Sequence, residues 1–253
     1  MDEVYQNPKY YEIAFSYRDL AAEVDVFEQA IRQYSRIPVS AVLELGCGHA
    51  PHLAELARRS YRYLGLDLSP AMLAYAREKA EALHAPARFV LADMTGFELD
   101  QPVDFAYILL GSLHTRNTAE LISHFDSVGR ALQPGGLYFL DWCVNFTPGS
   151  GSREAWEMVE GRIQVKTTFQ TTLVDPVEQL YEESLALEVD DDGDKQAFRE
   201  TMRVRQIYPQ EFLLFIAARN DFEFVGWWNN WDLAQPLGGK KEISRPIVIL
   251  RRV

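Results

Sequence analysis

The run Glu44-Leu45-Gly46-Cys47-Gly48-His49-Ala50 decides how the rest of the chain is read. It closes a short apolar stretch, residues 39–45, that reads as a buried strand. Gly46 and Gly48 let the backbone turn tightly and let a ligand approach it closely. In an open α/β sheet, ligands settle at the carboxyl ends of the strands. A dinucleotide site needs Gly-x-Gly-x-x-Gly, and here Pro51 stands at the third glycine. Glu44 beside the turn repels a pyrophosphate and favours a ligand with positive charge, such as an ammonium or sulfonium group.

On either side, strand-like and helix-like segments alternate. Residues 51–59 read as a helix with Pro51 in its first turn. Residues 63–68 form a second strand, and Ser69-Pro70 is an N-cap and N1 pair opening the helix AMLAYAREKAEAL. Residues 88–92 and 103–110 are further strands. Asn117 caps a helix running to about Leu132, Pro134-Gly135-Gly136 closes it, and residues 137–142 make a fifth strand. This βαβα order predicts an α/β fold with a doubly wound, mostly parallel, seven-stranded Rossmann-like sheet. Then the period changes to two. Ile163, Val165, Thr167, Phe169, Thr171 and Leu173 alternate, as do Leu185, Leu187 and Val189. With a hairpin turn at 190–194 and a strand at 197–208, this is an antiparallel excursion after the fifth strand. A helix over 210–219 and strands at 222–228 and 246–252 return to the main sheet. The first 36 residues read as helical, with Val24, Phe27, Ala30 and Ile31 on one face.

Composition narrows the function. The chain has 253 residues, 47% apolar and 25% charged, enough to bury a core without metals or disulfides. Its formal net charge of −12 opposes a nucleic-acid partner, whose affinity comes largely from Lys and Arg. No apolar run reaches a membrane span, no basic amphipathic helix suggests membrane docking, and no signal peptide is evident at the start. Two cysteines, Cys47 and Cys143, make no disulfide framework, which points to the cytoplasm. A small-molecule partner remains. Trp227, Trp228 and Trp231 read as a strand's core face or a subunit contact, so a homodimer stays open.

Asp67 stands at the tip of the second strand, where an acid suits ribose hydroxyls. Asp93, after the third, suits the exocyclic amine of adenine, with Met94 an apolar edge. Three acids at successive strand tips would read a nucleoside that has one cationic end and no phosphates.

LELGCGHA, GLDLS, LADM, VDFAYILLGSLH and LQPGG, in this order, resemble class I S-adenosylmethionine (SAM)-dependent methyltransferases. The resemblance is strong over residues 37–142. The stretch 11–19 and the return Asn145–Gly149 resemble the small-molecule branch, with its amino-sugar and glycine/sarcosine-type N-methyltransferases. It implies SAM as cofactor, S-adenosylhomocysteine as product, and no metal. It implies that Gly46 and the backbone near Leu109 flank the methionine part and that Glu44 orders the loop and the amino group. Asp67 then holds the ribose, and Asp93 with Met94 the adenine. Cys47, Gly48, Leu68 and Met72 complete that pocket. Ala50 replaces a glycine common in the family. Tyr11, Tyr17 and Arg18 meet the methionine end from an N-terminal lid, residues 1–36, over a SAM-binding core, 37–142. Residues 143–207 form a substrate-side insertion, and 208–253 complete the sheet.

The expected reaction is in-line methyl transfer to a small molecule, nitrogen before oxygen or carbon. The enzyme needs to place a nucleophile about 3 Å from the methyl and exclude water. His114, after the fourth strand, is the candidate base. The family histidine aligns one residue away. Trp142, Phe146, Trp156 and Tyr181 are expected to wall the acceptor pocket. Two alternatives are a SAM-binding protein without transferase activity and a methyltransferase acting on a protein. His49 and His52 lack a third metal ligand. The acidic run 190–194 reads as a solvated hairpin tip, since it lacks the spacing of a calcium loop.

Overall fold

In a computed structural model that describes residues 4–239 and 242–253, the change of sequence period becomes two separate sheets. The first has seven strands in the order β10-β11-β5-β4-β1-β2-β3. Its members are β1 (Ala41–Leu45), β2 (Arg62–Asp67), β3 (Ala87–Leu91), β4 (Val103–Ile108), β5 (Leu132–Asp141), β10 (Phe222–Trp228) and β11 (Ile247–Arg252). The strands β1 to β5 run parallel, and β11 and β10 join antiparallel. Every residue of β1 is buried, as a parallel strand covered on both faces requires.

Two layers supply the cover. On one face, α2 (Leu20–Tyr34), α3 (Leu53–Arg58) and α4 (Pro70–Ala82) bury Val24, Phe27, Leu53, Leu56, Leu73 and Ala76 against Tyr107, Phe139 and Ile249. On the other, α5 (Thr118–Ala131) and α6 (Pro209–Ala217) bury Phe125, Val128, Phe212 and Ile216 against Ile108, Tyr138 and Leu250. Side chains cap three of these helices, at Ser69 and Asn117 as the sequence marked and at Asp19, which it did not. Ser69 accepts from Met72 N, Asn117 from Glu120 N and Asp19 from Ala22 N.

The second sheet is an antiparallel meander, β6 (Gly151–Glu160), β7 (Ile163–Asp175), β8 (Leu180–Asp191) and β9 (Asp194–Arg205). The β8–β9 hairpin turns through Asp192 and Gly193, both at positive φ, as a two-residue Asp-Gly turn does. Its inner face packs Val165, Leu187 and Val189 on Ile13 and Ala14 of α1 (Pro8–Ala14).

Some local expectations are corrected. The helix before β5 ends at Ala131, and Pro134-Gly135-Gly136 lie inside the strand. There a Cβ on Gly136 would stand 2.5 Å from Asp104 O, so only glycine allows β5 to approach β4 this closely. The N-terminal segment is helical as expected, in two pieces, α1 and α2. The helix expected from Pro51 starts at Leu53. Strand β6 was not anticipated at all.

Candidate active site

The turn after β1 has the geometry its glycines suggested. Gly46, Gly48 and Ala50 all take positive φ, at 63°, 49° and 52°. Ala50 thus adopts the conformation a third glycine would take, at some cost in strain. A Cβ on Gly46 would meet Met94 Cε at 3.2 Å, and one on Gly48 would lie 4.0 Å from Met72 Sδ. Met72 is buried beneath the turn, while Leu68, 67% exposed, stands at its rim.

Asp67 ends β2 beside this turn. Its Oδ2 accepts from Gly48 N at 2.7 Å and its Oδ1 from Ser69 N at 2.8 Å. Burial pushes its carboxyl upward, against the pull of those N–H groups. Asp93 is exposed after β3 and accepts from Thr95 N and Oγ1 through Oδ1. Cys47 points inward: its Sγ lies 2.7 Å from where a Gly65 Cβ would be, and it is 1% exposed.

Glu44 does not face the mouth. Its carboxylate accepts from Tyr63 Oη at 2.5 Å and Tyr107 Oη at 2.9 Å, with His52 Nδ1 at 3.3 Å. Burial alone would raise this carboxyl; the hydrogen bonds from His52, Tyr63 and Tyr107 outweigh it and hold it low. His52 also reaches Glu23 Oε2 at 2.8 Å from Nε2. Burial disfavours its charge, yet two carboxylates raise its pKa. Arg18 grips Glu23 from the other side, at 2.5 Å and 3.1 Å. Arg245 joins Glu23 at 2.9 Å and Asp141 at 3.1 Å, and stacks 4.3 Å over Trp231. Asp141 in turn receives Leu110 N at 3.0 Å. The N-terminal segment is thereby tied to the tips of β1 and β5 by buried, paired charges.

Beyond the tips of β4 and β5 lies a cavity of about 1020 Å³. Leu110, Gly111 and Trp142 take positive φ at its edge, and such outliers concentrate where function demands a particular backbone. The structure brings together there His114, Trp142, Phe146, Trp156 and Tyr181, with Tyr11 and Tyr17 from the N-terminal segment. Trp156 Nε1 donates to Ala14 O at 2.7 Å, and Tyr181 Oη to Gly149 O at 2.8 Å. Leu109 is buried at the end of β4. Burial lowers the His114 imidazole to about 4, so it is neutral at physiological pH. Among the described residues no group of side chains is arranged to hold a metal.

Sequence reasoning missed two carboxylates on this wall, Glu183 and Glu200. The signal for Glu183 was present: it has the parity of Leu185, Leu187 and Val189, the buried face of β8. Arg245, Asp141 and Glu23 left no such trace.

The chain is similar to several known proteins. Residues 42–136 match the family model described as a methyltransferase domain. YqeM of Bacillus subtilis is 35% identical over 104 residues, 40% of this chain and 41% of that protein. The malonyl-[acyl-carrier protein] O-methyltransferase of Serratia marcescens is 28% identical over 67% of this chain and 64% of its own. A dTDP-3-amino-3,4,6-trideoxy-alpha-D-glucopyranose N,N-dimethyltransferase of Streptomyces venezuelae is 29% identical over 49% of this chain and 51% of its own. The chain thus spans less than two thirds of the curated relatives it matches. A SAM-dependent methyltransferase of Clostridium acetobutylicum superposes with a TM-score of 0.78 at 16% identity, over 96% of this chain and 95% of that one. CalS10, an amino pentose methyltransferase from Micromonospora echinaspora, gives 0.72 at 23% identity, over 96% of each chain. The chain shares its fold with these SAM-dependent methyltransferase structures along nearly its whole length.

Proposed function

We propose that the protein transfers a methyl group from SAM to a nitrogen of a small molecule. The observation that carries this reading is the cavity. It opens beyond the tips of β4 and β5, with Ser112 of its lining 3.8 Å from where a Gly46 Cβ would stand, and its far wall is the second sheet. The residues suit the cofactor: a φ-positive turn without side chains at Gly46 and Gly48, acids at 67 and 93, and apolar edges at Leu68, Met72 and Met94. When bound, SAM supplies an electrophilic methyl on a sulfonium. This chain's own residues then bind, orient and exclude water.

In this reading Asp67 holds the ribose, Asp93 with Met94 holds the adenine, and Gly46, Cys47 and Leu109 contact the methionine end through backbone. Glu44, Arg18 and His52 act from beneath, fixing the turn and the lid. Residues 1–36 serve as that lid, 37–142 as the cofactor core, 143–207 as the acceptor wall and 208–253 as the sheet's completion. His114 lies at the methyl side; as a neutral imidazole it accepts a hydrogen bond from the acceptor's amine and orients it. Similarity to an N,N-dimethyltransferase of an amino sugar and to an amino pentose methyltransferase supports nitrogen. The similarity to an O-methyltransferase supports an oxygen acceptor as the second reading.

The test is a screen of labelled methyl transfer from SAM onto amines, sugar alcohols and phenols. Amine products are expected, and exclusive O-methyl products would replace the first reading with the second. Millimolar S-adenosylhomocysteine should raise the melting temperature, because a ligand of the native state stabilises it. Absence of that shift would refute the cofactor assignment. His114→Ala should lower kcat on the best acceptor about 100-fold, the scale of losing one positioned catalytic group.

A further inference from the structure

The acceptor wall carries a carboxylate in a place where a plain core face would have an apolar residue. Along β8 the inward parity reads Glu183, Leu185, Leu187, Val189, and the last two pack on α1. At Glu183 the wall leaves that apolar contact and faces the cavity. Its cross-strand neighbours are Thr171 on β7 and Met202 on β9, neither of which offers a positive charge. Its Oε2 stands 3.8 Å from His114 Nε2, too far for a direct hydrogen bond. Beside it on the same wall, Gln206 donates to Glu183, and Asn145 Nδ2 donates to Gln206 Oε1 at 2.5 Å. The carboxylate is thus held by one amide and faces the cavity.

Resting on the methyltransferase reading above, we propose that Glu183 is the residue that receives the acceptor's amine. Its carboxylate holds the ammonium form beside His114 and takes one proton from it. In that step an N–H bond breaks, an O–H bond forms at Glu183, and the nitrogen keeps the electron pair it needs as a nucleophile. His114 is then a positioning partner for the same nitrogen and not the final holder of the proton.

The electrostatics are consistent with this division. Burial raises the Glu183 carboxyl to about 7, against the pull of Gln206. A base with that value is half-charged at neutral pH, near the optimum for proton transfer. The titratable groups around it are His114 from the loop after β4, Glu200 on β9, Tyr5 from the N-terminal segment and Cys143 after β5. The cavity also carries two arginines, Arg205 at the end of β9 and Arg245 before β11, which are paired with Glu211 and with Glu23 and Asp141. Neither is paired with Glu183, so an ammonium ion would enter as its ionic partner.

The test uses the full chain loaded with S-adenosylhomocysteine and benzylamine as the probe, with benzyl alcohol and benzoate as neutral and anionic shape mimics. Binding is read by calorimetry. The wild type should bind benzylamine at least about tenfold more tightly than either mimic, as a buried charge-assisted contact implies. Below neutral pH the carboxyl must give up its proton to accept the ammonium, so binding at pH 6 should release close to one proton, measured in buffers of different ionisation enthalpy. Glu183→Gln should lose both the preference and the proton release while keeping the thermal shift from S-adenosylhomocysteine. Glu183→Asp should retain part of each. Glu182→Gln, on the outer face of the same strand, should change neither. Equal affinities for the three probes, no benzylamine binding at millimolar concentration, or a preference that survives in Glu183→Gln would each overturn the proposal. A missing S-adenosylhomocysteine shift in the wild type would instead refute the cofactor reading on which it rests.

Discussion

At the scale of single residues, the most demanding positions are small ones under the cofactor turn. Gly65 on β2 has no room for a methyl group: a Cβ there would lie 2.7 Å from Cys47 Sγ and 3.0 Å from rings of Phe89 and Tyr63. Gly65→Ala should destabilise the fold by about 1–3 kcal/mol through overpacking. Adding Cys47→Ala should return part of that loss, and urea unfolding of the single and double variants measures the coupling. Asp67→Ala should weaken S-adenosylhomocysteine binding about 10–100-fold by titration calorimetry, the scale of hydrogen bonds to a charged group. Unchanged affinity would remove Asp67 from the ribose. Gly46, Gly48 and Asp67 were legible because backbone conformation and strand-tip chemistry are local. Glu44 was legible as an unusual acid but not as a buried one. Its partners Tyr63 and Tyr107 come from neighbouring strands, and Tyr107 sits directly beside it only once β1 and β4 pair.

At the scale of elements, the central parallel strands β1 and β4 announced themselves as apolar runs because both faces are covered. Strand β6 did not. Eight of its ten residues are exposed, so no hydrophobic period marks it, and it exists because β7 offers it a full register of partners. The inward face of β8 was seen only through its apolar members, which is why Glu183 was passed over. Pro134-Gly135-Gly136 misled for the opposite reason: turn residues were placed in a strand by the close approach of β4. Capping, by contrast, is written in short spacings. Asn117 is exposed and its side chain accepts only locally, from Glu120 N at 2.9 Å. Asn117→Ala should therefore cost about 1 kcal/mol and leave cofactor binding unaltered. A urea midpoint equal to that of the wild type would show that the cap contributes nothing.

At the scale of the whole molecule, stability depends on histidines buried in neutral form. Burial lowers His49 and His124 to about 4 from the ordinary 6.5. His124 Nδ1 lies 2.9 Å from Met94 O and Nε2 2.7 Å from Tyr138 Oη. Between pH 6.5 and 4 the unfolded chain binds more protons at these rings than the folded one, so their contribution is complete above pH 6.5 and is lost as pH falls. His52 has the opposite sign: its raised pKa gives stability that is present at acid pH and lost as pH rises through the folded value. Through that window the urea midpoint of His124→Gln should fall less on acidification than that of the wild type; an unaltered slope would exclude His124 as a contributor. The folded state also ties the N-terminal segment down through Arg18, Glu23 and Arg245 on one side and Glu12 with Tyr75 and Lys79 on the other. On the proposed function, with residues 1–36 as a lid, breaking these paired charges before anything enters or leaves should make opening the slow event of the cycle. Rapid mixing should then give a burst of methylated product, close to one per chain, followed by a slower steady rate that rises in Glu12→Gln. A linear time course from the first instant would mean that chemistry, not the door, keeps the enzyme's time.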